Sequence, residues 1–293
     1  MEWVILSATG RLARVESSTS PWQARIDHSP RVDHDVIASV AQVMDGAVAA
    51  VDESGNAYRV DVDQLPTLVP GGPWSLWDAP TTESLTNLPD DTPIIGLFSL
   101  DLDAAPLALG TTAGTVKRVV PEYKGWQTWQ VMAVKDGDAI IGVAQAADAD
   151  ELVFITSDAQ LLRLSAREVR PQGRTAGGMA GIKLSEESEV IFFGAVTRTD
   201  RDQSVVTTLA VGPDSPASVK VTPFTDYPAK GRHTGGVRTQ RFLKGQDRLA
   251  LAWVGLPPVR ACDTAGAPRN LPKADDRRDG AGVKVYGPFA ALG

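Results

Sequence analysis

A short motif recurs along the chain at intervals of roughly 50 residues, which is the length of a propeller blade. Two polar residues precede a glycine or its substitute, and an aliphatic residue follows five positions later. The copies lie at 7–15, 52–60, 111–119, 156–164, 214–224 and 263–271. Each follows an apolar run and ends in a run that alternates polar and apolar residues, which predicts a β-hairpin. The repeat therefore predicts an all-β, propeller-like disc of about six four-stranded blades.

The positions of the hairpins predict the blade boundaries. We expect one domain over residues 1–293, with blades that begin near residues 3, 47, 106, 151, 205 and 258. Segment 33–46 has an apolar spacing that fits a helix, but its β-branched residues and its place in the repeat favour a strand. The Pro-rich segment 66–93 is expected to connect two blades or to cover a sheet edge. Residues 272–293 are expected to form a partly ordered tail or a closing strand that pairs with the first blade.

A second recurring element follows some of the hairpins. Segments 167–184 and 225–242 share a proline, a basic residue beside a glycine and a Gly-Gly pair, whereas 121–138 keeps only Lys-Gly. Glycine permits positive φ angles and close backbone approach, so these segments are predicted to cross the edge of the disc tightly. Trp126 and Trp129 are expected to pack between blades. No phosphate-binding loop motif of a nucleotide-binding family is present, so no nucleotide site is expected.

The net charge of −7 is distributed unevenly along the chain. Residues 1–106 hold 5 Lys and Arg against 16 Asp and Glu, whereas residues 107–254 hold 18 against 16. Charge alone favours an ordinary solvated surface, because a pI of about 5.1 is far from that of a typical nucleic-acid-binding domain. A single cysteine, Cys262, gives neither a disulfide framework nor a zinc site, and no apolar run is long enough to span a bilayer. These features predict a cytoplasmic protein with no membrane partner.

Three segments carry a family resemblance: LALGTTAGTVKRV (107–119), LVFITSDAQLLRLSAREVRPQGRTAGGMAGIKL (152–184) and DYPAKGRHTGGVRTQRFLKGQDRLALAW (226–253). They resemble the blades of the C-terminal domain of bacterial type IIA topoisomerase A subunits, which is the β-pinwheel found in DNA gyrase and in topoisomerase IV. The likeness is strong over 107–254 and weak over 1–106. The resemblance implies a disc whose basic outer rim binds and bends duplex DNA and presents the transport segment to the cleavage core.

Within this family the chain is more similar to the topoisomerase IV type, from actinobacteria, than to the gyrase type. The gyrase type is marked by a box of the form Gln-basic-basic-Gly-Gly-basic-Gly in its first blade, and the corresponding stretch of this chain, 17–35, contains no glycine. The missing box and the acidic first 106 residues predict incomplete wrapping of DNA. The first two blades are expected to face away from DNA or to limit its bend, which suits a relaxing and decatenating enzyme.

The resemblance assigns the basic residues of the strongly matching blades to DNA contact. Such side chains would neutralise backbone phosphates without reading base sequence. The candidate DNA-binding residues are Lys117, Arg118, Lys124, Arg163, Arg167, Arg170, Arg174, Lys183, Lys220, Lys230, Arg232, Arg238, Arg241 and Lys244.

We expect no catalytic residue, no metal ligand and no cofactor in this domain. The resembled enzymes cleave DNA with a tyrosine near an arginine in a separate N-terminal core, and the four tyrosines of this chain lie in no such context. The resemblance implies ATP and Mg²⁺ in the rest of the holoenzyme. The partners that it implies are duplex DNA, the ATPase B subunit, and the cleavage core that belongs to the same polypeptide. It also implies a nucleoid location and a monomeric isolated domain. The alternative is a propeller-type protein-interaction module without DNA binding, favoured if the cations scatter over opposite faces.

Overall fold

The computed structural model of the chain describes residues 1–18, 20–21, 36–68, 76, 78–85, 92–122 and 125–293. Regular structure in these ranges is almost entirely β-strand. No helix among the described residues is long and apolar enough to cross a membrane.

Short strands follow one another along the whole of the described chain. The first strands are β1 (Glu2–Ser7), β2 (Leu12–Glu16), β3 (Ile37–Gln42), β4 (Ala47–Asp52), β5 (Asn56–Asp61), β6 (Thr67–Leu68), β7 (Ile94–Phe98), β8 (Leu107–Thr111), β9 (Thr115–Val119), β10 (Thr128–Gln130) and β11 (Ile140–Gln145). They continue with β12 (Glu151–Thr156), β13 (Gln160–Ser165), β14 (Pro171–Gln172), β15 (Met179–Ala180), β16 (Val190–Val196), β17 (Val205–Gly212), β18 (Ser215–Pro223), β19 (Val237–Arg238), β20 (Arg248–Gly255), β21 (Ala261–Cys262), β22 (Val283–Lys284) and β23 (Ala291–Leu292). Short 3-10 helices lie between some of them: η1 (Val62–Gln64), η2 (Thr82–Ser84), η3 (Ala166–Glu168) and η4 (Phe224–Asp226).

These strands form five blade sheets within the described part of the chain. Sheet 1 has the order β3-β1-β2-β6, sheet 2 β7-β4-β5-β10, sheet 3 β11-β8-β9-β14, sheet 4 β16-β12-β13-β19, and sheet 5 β20-β17-β18-β22. Strand β15 also pairs with β9 in sheet 3. In every sheet a hairpin lies at the centre, a third strand flanks its first strand, and a short strand flanks its second.

The prediction of an all-β, propeller-like disc is confirmed, but the count of about six blades is wrong. The sixth hairpin, 263–271, does not become a four-stranded blade; strand β21 before it pairs with β23. Its second arm contains Pro268, which forms a single bridge with Cys262. Proline has no backbone N–H, and the amides that bond across this hairpin come from Asp263 and Arg269, so the missing donor of Pro268 lies on the side where a further strand would have to pair.

The hairpin turns explain the repeated glycine of the motif. Gly10, Gly55 and Gly114 have φ angles of 78°, 86° and 81°, in the left-handed region that favours glycine. Ala159 takes the same conformation, with a φ of 64°. The fifth hairpin turns at 213–214 instead, between β17 and β18, so its motif is displaced relative to the others.

The short strand at the edge of each sheet comes from a later part of the chain than the hairpin it pairs with. It lies in the segment that follows the hairpin of the next repeat. Strands β14 and β15 follow the hairpin of sheet 4 yet pair with β9 of sheet 3, and β19 follows the hairpin of sheet 5 yet pairs with β13 of sheet 4. We call these segments crossings and number them by the sheet whose edge they complete. They are the first (62–93), second (120–139), third (166–189), fourth (224–247) and fifth (272–290) crossings.

The five sheets close into a ring. The third strands β3, β7, β11, β16 and β20 pack against one another in that order, around a central cavity of about 460 Å³. Strand β23 contacts β20, and Gly293 lies against the backbone of Ile37 in β3. Apolar cores fill the spaces between sheets: Phe154 faces the core shared with sheet 3 and Val153 the core shared with sheet 5. Burial on both faces explains the continuous apolar runs of the first hairpin strands.

The described residues test three further expectations from the sequence. Strand β3 confirms a strand within 33–46, of which 33–35 lie outside the described residues. Strand β6 pairs with β2, and Thr81 bridges Arg11, so the described part of 66–93 covers the edge of sheet 1. The expectation that the C-terminal strand at 283–284 pairs with the first blade is wrong. Strand β22 pairs with β18 of sheet 5, because the fifth crossing completes the preceding sheet as the others do.

The glycines of the crossings yield a stability prediction. Gly236 has a φ of 73°, and an added Cβ would lie 2.4 Å from the carbonyl oxygen of Leu161, whereas Gly137, with a φ of 79°, has open space around it. Gly137→Ala is expected to lower the free energy of unfolding by about 1 to 2 kcal/mol from backbone conformation alone. Gly236→Ala adds a backbone clash and is expected to cost clearly more. Urea unfolding of both variants measures the difference, and equal losses would contradict the close approach.

Candidate nucleic-acid interface

Four of the predicted DNA contacts are buried, which corrects their assignment. Lys117, Arg118, Arg163 and Lys220 are at most 8% exposed. All four lie on second hairpin strands, which are enclosed by the neighbouring sheets and crossings. A side chain in this position cannot reach a phosphate on the surface, so these cations have structural partners instead.

The two buried arginines bind the 3-10 helices that begin the crossings. The guanidinium of Arg118 donates to the carbonyl oxygens of Ala166 and Val169, at 2.9 and 3.2 Å. It also forms an ion pair of 2.8 Å with Asp148. These contacts tie sheet 3 to η3, where the third crossing starts.

Arg163 repeats this arrangement one sheet further along. It donates to the carbonyl oxygen of Tyr227 at 2.8 Å and pairs with Glu151 at 2.7 Å. Its guanidinium also lies 4.7 Å from the ring centre of Phe224, the first residue of η4. Each arginine therefore fixes the start of the crossing that completes its own sheet.

The two buried lysines bind backbone carbonyls within the crossings. Lys117 Nζ donates to the carbonyl oxygens of Val131, Arg174 and Ala176, at 2.8, 2.7 and 2.7 Å. Lys220 Nζ donates to Thr222 Oγ1 and to the carbonyl oxygen of Arg278, both at 2.6 Å. Burial lowers the pKa of each lysine to about 8, although carboxylates near Lys220 act in the opposite direction.

The remaining predicted cations that the structure describes lie on the crossings. Lys124 lies outside the described residues. The exposed ones are Arg167, Arg170, Lys183, Lys230, Arg238, Arg241 and Lys244. Arg174 and Arg232 are half-buried: the guanidinium of Arg174 lies 4.6 Å from the ring centre of Trp126, and that of Arg232 donates to the carbonyl oxygen of Ala180 at 2.6 Å.

The tryptophans of the second crossing contact different neighbours. Trp129 is buried, with its ring 6.2 Å from that of Phe98 of sheet 2, in a core shared with sheet 3. Packing between blades is therefore confirmed for this residue. Trp126 also packs against this core, and its ring lies under the guanidinium of Arg174, so it links the second crossing to the third.

Backbone hydrogen bonds join successive crossings into one surface. The amide of Ala133 donates to Ala176, that of Lys183 to Thr234, and that of Arg241 to Gly280. These bonds connect the second, third, fourth and fifth crossings in order. We call this surface the crossing band; it comprises residues 125–134, 169–184, 228–245 and 275–285.

Charge varies along the crossings. Residues 169–184 and 228–245 contain eight Lys and Arg and no Asp or Glu. The first crossing, 62–93, contains Asp63, Asp78, Glu83, Asp90 and Asp91 and no Lys or Arg. These two segments are therefore the strongly basic parts of the third and fourth crossings, whose acidic residues lie at the ends of the crossings, outside the two segments.

The fifth crossing contains cations that sequence reasoning missed. Arg277 and Lys284 are exposed there, and Arg278 is half-buried. Arg277 pairs with Asp275 at 3.2 Å, and this partner lowers the pKa of the carboxyl. The sequence signal was Gly282 before a Val-Lys pair, which matches Gly236 before a Val-Arg pair in the fourth crossing. Acidic residues between the cations of the fifth crossing made this match hard to recognise.

Other reactive groups form no assembled site in the ranges that the structure covers. No group of three or more His, Cys, Asp or Glu there is arranged to hold a metal ion. Burial raises the pKa of Tyr227, and burial with a hydrogen bond to Asp52 raises that of Tyr58 to about 12. Both tyrosines thus have structural roles.

Comparisons with known proteins agree with this geometry. The family model of the DNA gyrase C-terminal domain, a β-propeller, matches residues 150–197 and 217–252. The A subunit of DNA gyrase from Escherichia coli (strain K12) is 27% identical over 245 residues, covering 82% of this chain and 26% of that protein. Topoisomerase subunit TopoM of Mycolicibacterium smegmatis is 29% identical over 222 residues, covering 63% of this chain and 30% of that protein. The chain thus spans less than a third of the length of either relative.

Solved structures match over nearly the whole chain. The C-terminal domain of DNA topoisomerase IV aligns with a TM-score of 0.74 and 18% identity, over 100% of this chain and 92% of that one. The DNA gyrase A C-terminal domain aligns with a TM-score of 0.63 and 16% identity, over 97% and 94%. At this identity these structures show the fold, which is a β-pinwheel. The family model and the sequence relatives agree with this fold, and they make the chain similar to the C-terminal domain of the DNA gyrase A subunit over the residues that they match.

The buried lysines yield a prediction for the pH dependence of stability. Lys117 loses its proton near pH 8 in the folded chain but keeps it up to about 10.5 when unfolded, so the unfolded state binds more protons in this window. Raising the pH from 8 to 10 should therefore stabilise the wild type relative to Lys117→Met, by at most about 3 kcal/mol. This gain is lost as the pH falls through 8. Urea unfolding at pH 7.5 and pH 10 checks it, and a constant difference between the two proteins would contradict it.

Proposed function

We propose that the chain is the DNA-binding and DNA-bending domain of a type IIA topoisomerase A subunit. It contacts duplex phosphates along the crossing band without sequence specificity. The observation that carries this proposal is the adjacency of two acid-free, cation-bearing segments, 169–184 and 228–245, joined by the hydrogen bond from Lys183 to Thr234. Cations on one continuous surface neutralise successive phosphates and release counterions, which favours binding to any duplex sequence.

The proposed domain does no covalent chemistry of its own. It holds the transport segment and presents it to the cleavage core of the same polypeptide. ATP and Mg²⁺ act elsewhere in the holoenzyme, in which the ATPase B subunit is a partner. The isolated domain is a monomer, and its DNA partner places it in the cytoplasm on the nucleoid.

We further propose a partial wrap, of the topoisomerase IV type. The absence of glycine from 17–35 separates the chain from the gyrase type, although that stretch lies almost wholly outside the described residues. The first crossing has no Lys or Arg, so the basic path does not continue around the whole disc. Bending a 20–30 base-pair site costs on the order of 1–6 kcal/mol, and DNA bends only where phosphate contacts offset that cost.

A salt series tests DNA binding by the crossing band. Binding to a linear duplex of ~40 base pairs should weaken with salt at a slope of about −5 to −7 in log K against log salt, if roughly six to eight phosphates are neutralised. The double variant Arg238→Ala/Arg241→Ala should reduce that slope by about two units and weaken binding, because both side chains are exposed on the fourth crossing.

The matched control for this series is Arg198→Ala. Arg198 is exposed in the loop between β16 and β17, outside the residues of the crossing band, so its removal should leave affinity and slope unchanged. If Arg198→Ala weakened binding and reduced the slope as much per removed arginine, the loss would reflect the overall charge of the protein and not contacts on the crossing band. Absence of wild-type binding at low salt would overturn the DNA proposal and favour the protein-interaction module.

Ligation of a nicked plasmid in the presence of saturating domain tests the partial wrap. A full wrap would constrain supercoils and shift the topoisomer distribution, whereas a partial wrap is expected to leave it nearly unchanged. The shift is read on an agarose gel after removal of the protein. A clear shift in linking number with added domain would contradict partial wrapping.

A further inference from the structure

The loop that carries Arg174 is folded around one buried side chain. Strands β14 and β15 both pair with β9, at positions that flank Lys117: Pro171 lies opposite Arg118, and Met179 lies opposite Val116. The intervening loop, 173–178, must therefore pass over Lys117. We call it the Lys117 loop.

The ammonium of Lys117 makes a full set of contacts in this position. An ammonium has three donors, and those of Lys117 reach the carbonyl oxygens of Arg174 and Ala176 in the loop and of Val131 in the second crossing. Lys117 is fully buried. Three carbonyls from two crossings are thus held at one point.

Sheet 4 offers a comparison in which the same position is apolar. Leu162 lies between Leu161, opposite Val237, and Arg163, bridged to Ala229. The corresponding loop is closed by its own residues: Lys230 Nζ donates to the carbonyl oxygen of Gly236 at 2.9 Å. A leucine therefore satisfies the packing at this position, and the lysine of sheet 3 must supply something besides packing.

Sheet 5 has a lysine at the corresponding position. Lys220 lies between Val219, opposite Val283, and Val221, whose carbonyl accepts the amide of Asp275. Its ammonium binds the carbonyl oxygen of Arg278. In both sheets, then, a buried lysine holds the backbone of an arginine on the crossing band.

We infer that Lys117 is a positioning residue for DNA binding, whose ammonium fixes the Lys117 loop so that the guanidinium of Arg174 is held where it meets a phosphate. This inference rests on the proposed function. Arg174 is held from two sides, since its backbone carbonyl binds Lys117 and its guanidinium lies over Trp126. A loop fixed in advance loses less conformational entropy on binding than a free one does.

A double-mutant cycle tests the inference, with affinity for the ~40 base-pair duplex as the readout. Lys117→Met is expected to weaken binding by roughly the same factor as Arg174→Ala, several-fold, and the two together by less than the product of the single effects. The effect of Arg241→Ala on the fourth crossing should stay the same in the Lys117→Met background. Leu162→Met, a conservative change at the corresponding position of sheet 4, should leave binding unchanged.

Hydrogen exchange of the free protein separates loop positioning from DNA binding. Amides of 174–178 should exchange faster in Lys117→Met, whereas those of the fourth crossing should not change. If Lys117→Met fails to fold, Lys117→Gln, which keeps two donors, is measured instead and should give smaller changes of the same kind.

The possible outcomes distinguish the two proposals. Unchanged exchange at 174–178, or full additivity of Lys117→Met with Arg174→Ala, overturns the positioning role while the proposed function stands. If the wild type binds no DNA, the proposed function fails and the DNA role of Lys117 falls with it, even where exchange shows that Lys117 holds the loop.

Discussion

The pairing of each crossing with the preceding sheet is the interaction on which the rest of the structure depends. A hairpin alone has two open edges and is marginally stable in water. In this chain the third strand closes one edge, and the crossing from the next repeat closes the other. No sheet is complete without its successor, so the blades are expected to gain stability from their neighbours, as in other repeat proteins.

This exchange of strands also decides where each charge lies. The second strand of a hairpin is covered by the crossing that pairs with it, whereas the crossing itself lies at the outer edge. Arg163 and Lys230 are both basic residues joined by a backbone hydrogen bond, yet the first is buried and the second is exposed. The charge at the outer edge of the disc is therefore set by the crossings, and the net charge of the whole chain does not describe that edge.

Features that depend on neighbouring residues could be predicted from the sequence. The hairpins followed from the turn at Gly55 or Gly114 and from alternating apolar residues on either side, which are local signals. The exposed cations of the third and fourth crossings followed from the family resemblance. The number of blades could not be predicted from the motif alone. Segment 263–271 keeps the turn glycine of the motif but contains Pro268 where a strand would have to pair.

Features set by contacts distant in sequence could not be predicted. Edge strands such as β15 and β22 are two residues long and carry no periodicity of their own, so their partners were not visible. The burial of Lys117 and Arg118 also escaped, because charged side chains are mostly exposed and these two have partners far along the chain, such as Ala176 and Val169.

The buried cations follow from the same strand exchange. A glycine-rich crossing with two-residue strands leaves many backbone carbonyls without a ladder partner, and a buried carbonyl without a donor is costly. A cation on the adjoining hairpin strand provides several donors from one side chain, as Arg118 does for Ala146, Ala166 and Val169. An apolar residue at that position would fill the space but leave those oxygens unpaired. Basic residues in the motif thus allow an irregular outer edge to pack against a regular sheet, and that edge presents further cations to solvent.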